Sequence, residues 1–427
     1  MADIFNSKEY LSSRNAYTLQ CMFEYFIALL SADAFLAKLL KDIGLSDAAT
    51  GVLSSLITVS FLFQLLSVPL AGKLKRIKKY IILVDTASQL LFAAVFTVPF
   101  MPLSFKGKAA AATALILLGY LALYLNNTLC YKWGNSFVSP DNRGTYSAIK
   151  EMVSLIAGVV FTLGAGYVVD RFELKGNLHG AFGFLSASMV VVCGFNFICL
   201  AKMKELPLAE SGASQSIKEI IRHTFGNKNF RNVIILTSIS EFARYLTIGF
   251  MGTYKTVDLG LSVSKIQIIN VAACLARFLI SKPLGKYSDK KGFANGYYIG
   301  NLMTLAAFLI GVFVSPERGW LILPFTIIYQ MAMSGIGQNN YNMAYCYVDD
   351  EYILAGIAVN NSTKGVFGFA ASFVGSLILD YVQSCGNTFM GIHANGQQVL
   401  SAITAFLMVF ALIFNKKVVS KQAENRK

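Results

Sequence analysis

Asp42-Ile43-Gly44-Leu45-Ser46 returns as Asp258-Leu259-Gly260-Leu261-Ser262. The two stretches stand about 215 residues apart, and other pieces recur at nearly the same offset. Ser67-Val68-Pro69-Leu70-Ala71-Gly72 is echoed by Ser281-Lys282-Pro283-Leu284-Gly285, and Asn126-Asn127 by Asn339-Asn340. Glu24 has a counterpart in Glu241, and Asp170 in Asp380. A chain of 427 residues with this period reads as two copies of one half. When such halves are built of membrane-grade apolar sequence, duplicated repeats with a solute site near the bilayer midplane are a common plan.

The composition is of that grade. Apolar residues make up 55% and charged ones 14%, with a mean hydropathy of +0.55, which excludes an ordinary soluble domain. Twelve continuous apolar runs, each about 18 to 27 residues long, can cross ~30 Å of hydrocarbon. They lie near 15–40, 47–71, 80–103, 109–134, 146–170, 181–201, 232–254, 263–284, 294–315, 320–345, 357–382 and 398–415. A β-barrel would need short alternating segments instead. The expected fold is all-α, with twelve transmembrane helices in two pseudo-symmetric six-helix bundles, 15–201 and 232–415. A cytoplasmic N-terminus (1–14), a cytoplasmic central loop (202–231) and a cytoplasmic tail (416–427) complete the division.

Orientation follows from Lys and Arg. With both termini inside, most of the 37 basic residues fall on the cytoplasmic side, including Lys73, Lys75, Arg76, Lys78 and Lys79 after the second run. The net charge of +14 then faces anionic headgroups, and nucleic acid is not an expected partner. The first 14 residues carry no cleavable leader pattern, so the first span is expected to be retained. Seven scattered cysteines without a C-x-x-C pair, and three histidines all in loops, point to no disulfide framework, metal site or cofactor. In the central loop, Ile217, Ile220, Ile221 and Phe225 share a helical face opposed by Lys218, Glu219 and Arg222. This reads as a helix on the inner leaflet.

After the eighth run comes Gly285-Lys286-Tyr287-Ser288-Asp289-Lys290-Lys291-Gly292. This resembles the G-x-x-x-D-[RK]-x-G loop of the major facilitator superfamily, at the place the family uses in its second half. The resemblance covers essentially the whole chain and implies a multi-pass transporter of the plasma membrane, with short loops suggesting a bacterial inner membrane. The first-half copy departs from the pattern: Gly72 is kept, but Arg76 stands in the place of Asp289 and Lys79 in that of Gly292. In the family the acidic residue faces a helix end of the other half, where dipole and basic groups favour it. Here the resemblance implies two contacts of opposite polarity. Lys75 and Arg76 would face Asp349, Asp350 and Glu351; Asp289, with Lys290 beside it, would face Arg143. Solvated loop charges worth ~0–1 kcal/mol per pair are the plainer alternative. Family antiporters often carry a Gly-Pro signature in the fifth span. This chain has Gly158, Gly164 and Gly166 there but no proline, which weakens a drug-antiporter reading.

Ionisable groups at membrane depth cost at least ~2.5–3.5 kcal/mol, so each needs a partner, water or a function. Ionisable and amide side chains together concentrate in the first, fourth, seventh, eighth, tenth and eleventh runs. Glu24, Glu241, Arg244 and Lys364 each lie ~14–19 Å from the cytoplasmic entry at 1.5 Å per residue. Candidate solute-binding residues are Asn126, Asn127, Gln338, Asn339, Asn340, Tyr341, Asn360, Asn361, Arg244, Arg277 and Lys364. Amides suit hydroxyl, carbonyl and carboxylate oxygens, though paired Asn also holds helices together. Candidate proton-coupling residues are Glu24, Asp33 and Glu241, since a desolvated carboxylate takes and releases a proton as its surroundings change. Glu241 and Arg244, at i and i+3, can instead pair on one face. Glu24 has no cation in its own run, and a permanent pair with Lys364 or Arg244 is the alternative to proton work. Glu24 and Asp33 are nine residues apart, about 180° around a helix. They cannot both reach one atom unless the helix breaks, so Asp33 suits an outer gate.

The function expected from these residues is a secondary active transporter for a small organic solute, coupled to protons and working as a monomer by alternating access. A drug or sugar efflux antiporter is the nearest rival. A transporter-like sensor or scaffold would carry an appended domain or long tail, and none is evident. No catalytic constellation or phosphate-binding G-x-x-x-x-G-K-[ST] loop is present, so neither an enzyme nor an ATP-driven pump is expected.

Overall fold

The computed structural model describes residues 7–71, 77–138, 143–205, 217–348, 353–389 and 391–424. Every predicted span is mainly helical, the third ending early at Val95. The first half runs α1 (Lys8–Leu30), α2 (Asp33–Asp42), α3 (Asp47–Ser54), α4 (Leu56–Ala71), α5 (Ile77–Val95), α6 (Phe105–Asn135), α7 (Arg143–Leu174) and α8 (Leu178–Lys202). After α9 (Ile217–Gly226) come α10 (Lys228–Ile248), α11 (Val263–Lys291), α12 (Phe293–Gly311), α13 (Ile322–Tyr347), α14 (Ile353–Ser384) and α15 (Gly396–Phe414). Among the described residues the only strand pairing is a short antiparallel ribbon, Thr388–Phe389 with Ile392–His393.

Ten helices among the described residues are long and apolar enough to cross a membrane. The first and third predicted spans fall outside that count. α1 carries Lys8, Glu9, Arg14, Gln20 and Glu24; α5 is shorter and holds Lys78, Lys79 and Asp85. Both are therefore more polar than their neighbours.

The first span is not one helix. It stops at Leu30, Ser31 still donates its N–H to Ile27 O at 3.0 Å, and Asp33 then takes φ +46°. That is the left-handed region, which Asp and Asn tolerate better than other side chains carrying a Cβ. The second span also divides, at Ser55, whose N–H and hydroxyl both turn back onto Gly51 O. The seventh ends in a π-turn, Tyr254–Asp258.

The same helix pairings occur twice. α1 packs on α7 and α8 while α5 packs on α6 and α8; correspondingly α10 packs on α14 and α15 while α12 packs on α13 and α15. Repetition of contacts is the structural form of the sequence repeat.

The chain resolves into two compact units. The first contains Met1–Leu45, Leu66–Gln215 and Ser262–Gln267; the second contains Ser46–Leu65, Ser216–Leu261 and Ile268–Lys427. Contacts thus draw the boundary differently from the division at 202–231: part of the second span goes with the second unit, and the head of α11 with the first. The first unit has a core of Tyr17, Ile81, Trp133, Phe137 and Leu200, joining α1, α5, α6 and α8. Trp133 Nε1 donates to Lys204 O, and Lys78 Nζ to the carbonyls of Ala201 and Met203 at the end of α8. A cation there satisfies carbonyls the helix leaves open. Lys204 pairs with Glu9, and that hydrogen bond raises the Lys204 ammonium above its ordinary pKa.

In the second unit the core is Tyr254, Phe308, Phe325 and Ala405 with Tyr329 against it. α3 and α4 meet α10 and α14 through glycines. A Cβ on Gly51 would lie 1.9 Å from the Phe250 ring, one on Gly249 2.2 Å from Ser55 Oγ, and one on Gly365 2.2 Å from Thr58 O. Small residues let helix backbones approach where lipid offers no hydrophobic drive to associate. α9 lies against α14 and α10 and buries Ile220 and Thr224, whereas Ile221 is exposed.

Candidate solute and ion sites

In the second unit, Glu241 and Arg244 sit one turn apart on α10, 6% and 7% exposed, and form an ion pair through Glu241 Oε2 and Arg244 Nη2. Arg244 Nη1 donates to Tyr329 Oη at 3.3 Å and Met333 Sδ at 2.8 Å, both from α13. Tyr329 in turn stacks on Phe325, with ring planes 3° apart, and meets Phe308 edge-on. Nε of Arg244 has no partner among the described residues. Lys364, on α14, is half-buried and within electrostatic reach of Glu241 and Arg244. It makes no hydrogen bond or ion pair among the described residues. Arg277 is half-buried on α11, within electrostatic reach of Tyr329. Glu241 cancels Arg244, and the positive charges of Lys364 and Arg277 remain.

The amides of this unit are engaged with protein. Asn360 donates to Asn340 Oδ1 at 3.0 Å and accepts from Thr237 at 2.7 Å. Asn361 donates to Gln64 Oε1 at 3.3 Å. Asn339 donates to Gly335 O at 2.7 Å on its own helix. In these contacts the amides act between helices, or within one, as interhelical polar groups do. The side chains of Gln338 and Tyr341 lie outside the described residues.

In the first unit, Glu24 is half-buried on α1 and accepts from Gln20 Nε2 at 2.8 Å. Lys150, on α7, is within electrostatic reach of it. The sequence offered Lys364 or Arg244 as partners for Glu24 and passed over this cation, because Lys150 stands only four residues into the fifth predicted run, about 6 Å from its start and short of the depth the others share. Lys150 itself donates to Tyr17 Oη at 3.4 Å and sits over the rings of Tyr17 and Tyr131, an arrangement in which aromatic faces attract a cation. Asp33 opens α2 beyond the break, so the helical angle between it and Glu24 is not the 180° of an unbroken helix.

Asn126 and Asn127 part company. Asn126 is buried and donates to Asp85 Oδ1 at 3.2 Å; Asn127 is exposed. Adjacent helical positions differ by 100°, so the two amides cannot share one face. Asp85 also accepts from Gln89 Nε2 at 2.9 Å and from Asn196 Nδ2. This four-residue cluster was not expected from the sequence, which singled out Asn126 but did not join it to Asp85, Gln89 or Asn196.

Of the predicted gate, Gly72, Lys75, Arg76, Asp349, Asp350 and Glu351 lie outside the described residues, as does the side chain of Arg143. Gly285 is inside α11; Asp289 and Lys290 are exposed near its end. Gly292 ends that helix at φ +94°, donating to Ser288 O at 2.7 Å, a backbone state that favours glycine. On the predicted outer side, Asp170 of α7 accepts from the backbone N–H of Val263 at 3.1 Å and of Ser264 at 3.0 Å. Gln383 of α14 donates to Asp47 at the head of α3 at 3.0 Å. No group of three His, Cys, Asp or Glu suited to a metal occurs among the described residues.

A many-spanning helical chain with repeated bundles and buried charges is the class of a membrane transporter. The family model of the Major Facilitator Superfamily matches residues 16–379, and the chain belongs to that family. It is a multi-pass membrane protein of a transporter family, not an enzyme. A comparison with curated protein sequences gives no match. Among solved structures, it is similar to a mutant of the nucleoside transporter NupG (16% identity, 96% of this chain and 100% of that one, TM-score 0.69). It is also similar to a D-xylose-proton symporter (16%, 96% and 98%, TM-score 0.68). A third is the xylose transporter XylE from E. coli in a partially occluded inward open conformation (15%, 97% and 98%, TM-score 0.65). At these identities the likeness is one of fold.

Proposed function

We propose that this chain is a secondary active transporter that carries a small polar organic solute across the plasma membrane by alternating access, coupled to protons, with both termini cytoplasmic and the monomer as working unit. The observation that carries this reading is the buried Glu241–Arg244 pair, with Tyr329 and Lys364 beside it, in a chain of this family. Charges at such depth are costly to maintain without a task. Arg244 offers a fork of donors for oxygen-rich groups, and Tyr329 with Phe325 offers aromatic faces. Lys364 stands without an anionic partner of its own, so the charge balance favours an anionic solute over a neutral one. Glu24 is assigned the proton. It is a carboxylate held by a neutral amide, with Lys150 near enough to respond when its charge changes. The fold is shared with a D-xylose-proton symporter, but coupling is inferred from Glu24 rather than from that likeness.

The test has two stages. Purified protein is screened by thermal shift against sugars, sugar acids, carboxylates, nucleosides and cationic drugs, since a ligand of the native state raises apparent stability. The stabilising compound is then given to proteoliposomes with and without an inward proton gradient. Gradient-dependent accumulation is expected, with carboxylates ranking above their neutral counterparts. Stabilising compounds that never accumulate would reject the transporter mechanism; accumulation indifferent to the gradient would reject the coupling.

A further inference from the structure

Three cations and one carboxylate stand together in the second unit. Glu241 neutralises Arg244, its ion-pair partner one turn along α10. Lys364 of α14 lies within electrostatic reach of both. Arg277 of α11 lies within reach of Tyr329, whose hydroxyl accepts from Arg244 Nη1 at 3.3 Å. The backbone fixes which way Arg277 faces. Ser281, one turn on, meets Ser334 of α13 with 2.7 Å between hydroxyls, and Ser334 follows Met333, whose sulfur accepts from Arg244 Nη1. Side chains four apart share a helix face. Arg277 is therefore on the face of α11 turned to α13, away from the exposed Leu275, Phe278 and Leu279. Neither Lys364 nor Arg277 makes a side-chain hydrogen bond or ion pair among the described residues, and Arg244 Nε is buried without a partner there. Once Glu241 and Arg244 cancel, two half-buried positive charges with open N–H donors remain uncompensated. Charges at membrane depth need a partner, water or a task.

The two open cations come from different helices and have different neighbours. Lys364 has Glu241 and Arg244; Arg277 has Tyr329 and Cys274. A solute with one carboxylate would compensate one cation and leave the other. A phosphate monoester would carry both negative charges on one group, which suits cations that converge on one point. Cations set apart suit an anion whose charges are set apart. Ammonium and guanidinium groups both form charge-assisted hydrogen bonds with carboxylate oxygens. We propose, resting on the transporter reading above, that the solute is a dicarboxylate, one carboxylate held by Lys364 and the other by Arg277.

The probes are succinate, glutarate and adipate, each beside its monomethyl ester and its diamide, with glucose 6-phosphate as a further anion. Purified protein is titrated with each at neutral pH, where both carboxyl groups are ionised, and the rise in its thermal midpoint gives an apparent affinity. The same compounds are then offered to proteoliposomes. At least one dicarboxylate is expected to bind about 10-fold or more tighter than its monoester, the scale of one charge-assisted hydrogen bond, with the diamide weakest. Lys364→Gln and Arg277→Gln should each bring the affinity for that dicarboxylate down to near that of the monoester. Should either variant fail to fold, the ranking on the parent protein still decides. Monoesters that bind as well as their dicarboxylates overturn the inference, and if they accumulate the transporter reading stands without it. Tighter binding of glucose 6-phosphate than of every dicarboxylate overturns the separation of the two charges. A dicarboxylate preference that survives in both folded variants overturns the assignment to Lys364 and Arg277. Dicarboxylates that bind in the expected order but never accumulate sustain the site and reject the transporter reading. No binding by any of the probes overturns the inference.

Discussion

Asp170 caps the helix that begins at Val263: its two carboxylate oxygens accept the N–H groups of Val263 and Ser264, 93 and 94 positions further along the chain. The first N–H groups of a helix have no partner within it, and the helix dipole makes that end favourable for negative charge. Gly166, one turn earlier on α7, lets the backbones close in, since a Cβ there would already touch Ser264 Cα at 3.4 Å. Asp170→Ala should therefore lower stability by ~0.5–2 kcal/mol, the range found when a capping oxygen is lost. Asp170→Asn, which keeps one acceptor, should lose less. Thermal unfolding of the three proteins in one detergent checks the order; equal midpoints would mean that these N–H groups are satisfied in another way.

The Glu241–Arg244 pair should be strongly non-additive. Removing either partner strands the other charge in a buried place, a loss of ~3–5 kcal/mol. Arg244→Leu and Glu241→Leu should each be severely destabilised, and the double variant should recover most of the loss. A double-mutant cycle on unfolding measures this. Additive losses would show that the two charges are stabilised independently.

For Glu24, the expected result is a separation of two activities. Glu24→Gln should abolish proton-driven accumulation but leave solute exchange, because the amide keeps the shape and loses the proton exchange. Counterflow and gradient-driven uptake, compared at matched expression, report the two activities. Undiminished accumulation in the variant removes Glu24 from coupling.

Two glycines in predicted spans should respond in opposite directions. At Gly365 a methyl group would stand 2.2 Å from Thr58 O, against backbone that cannot yield cheaply. Gly365→Ala should cost ~1–3 kcal/mol through overpacking. At Gly164 nothing lies within 4 Å of the added carbon. Gly164→Ala should be neutral or stabilising by up to ~1 kcal/mol, from helix propensity alone. Comparing the two midpoints tests whether close approach at Gly365, rather than glycine content in general, holds α14 to α4.

The fold was legible because its signals are long. Twelve apolar runs and a repeat spread over the whole chain survive errors at any one residue, and both reappear as helices and repeated helix pairings. The i, i+3 spacing of Glu241 and Arg244 was enough to raise their pairing as one alternative. What stayed hidden needed distant partners. Asn196 is one amide in the apolar run Gly194-Phe195-Asn196-Phe197, and nothing local marks it. Its meaning comes from Asp85, 111 positions away. Lys150 escaped attention as the neighbour of Glu24 because it stands near the start of its run, short of the depth that Glu24, Glu241, Arg244 and Lys364 share. The adjacent pair Asn126-Asn127 misled in the opposite sense, since adjacency in sequence means separate faces on a helix. The break after Leu30 carried no proline or glycine to announce it.

That break sets where this protein can change length. Within α1 every residue is locked to one helical phase, and an inserted residue would turn all that follows by 100°. An insertion between Gln20 and Glu24 would carry the carboxylate away from its amide. Between Ser31 and Asp33 the phase is already interrupted. A residue gained or lost there leaves α1 as it stands and is absorbed by the turn before α2. In an alignment of related chains, gaps in the first span should collect at this joint.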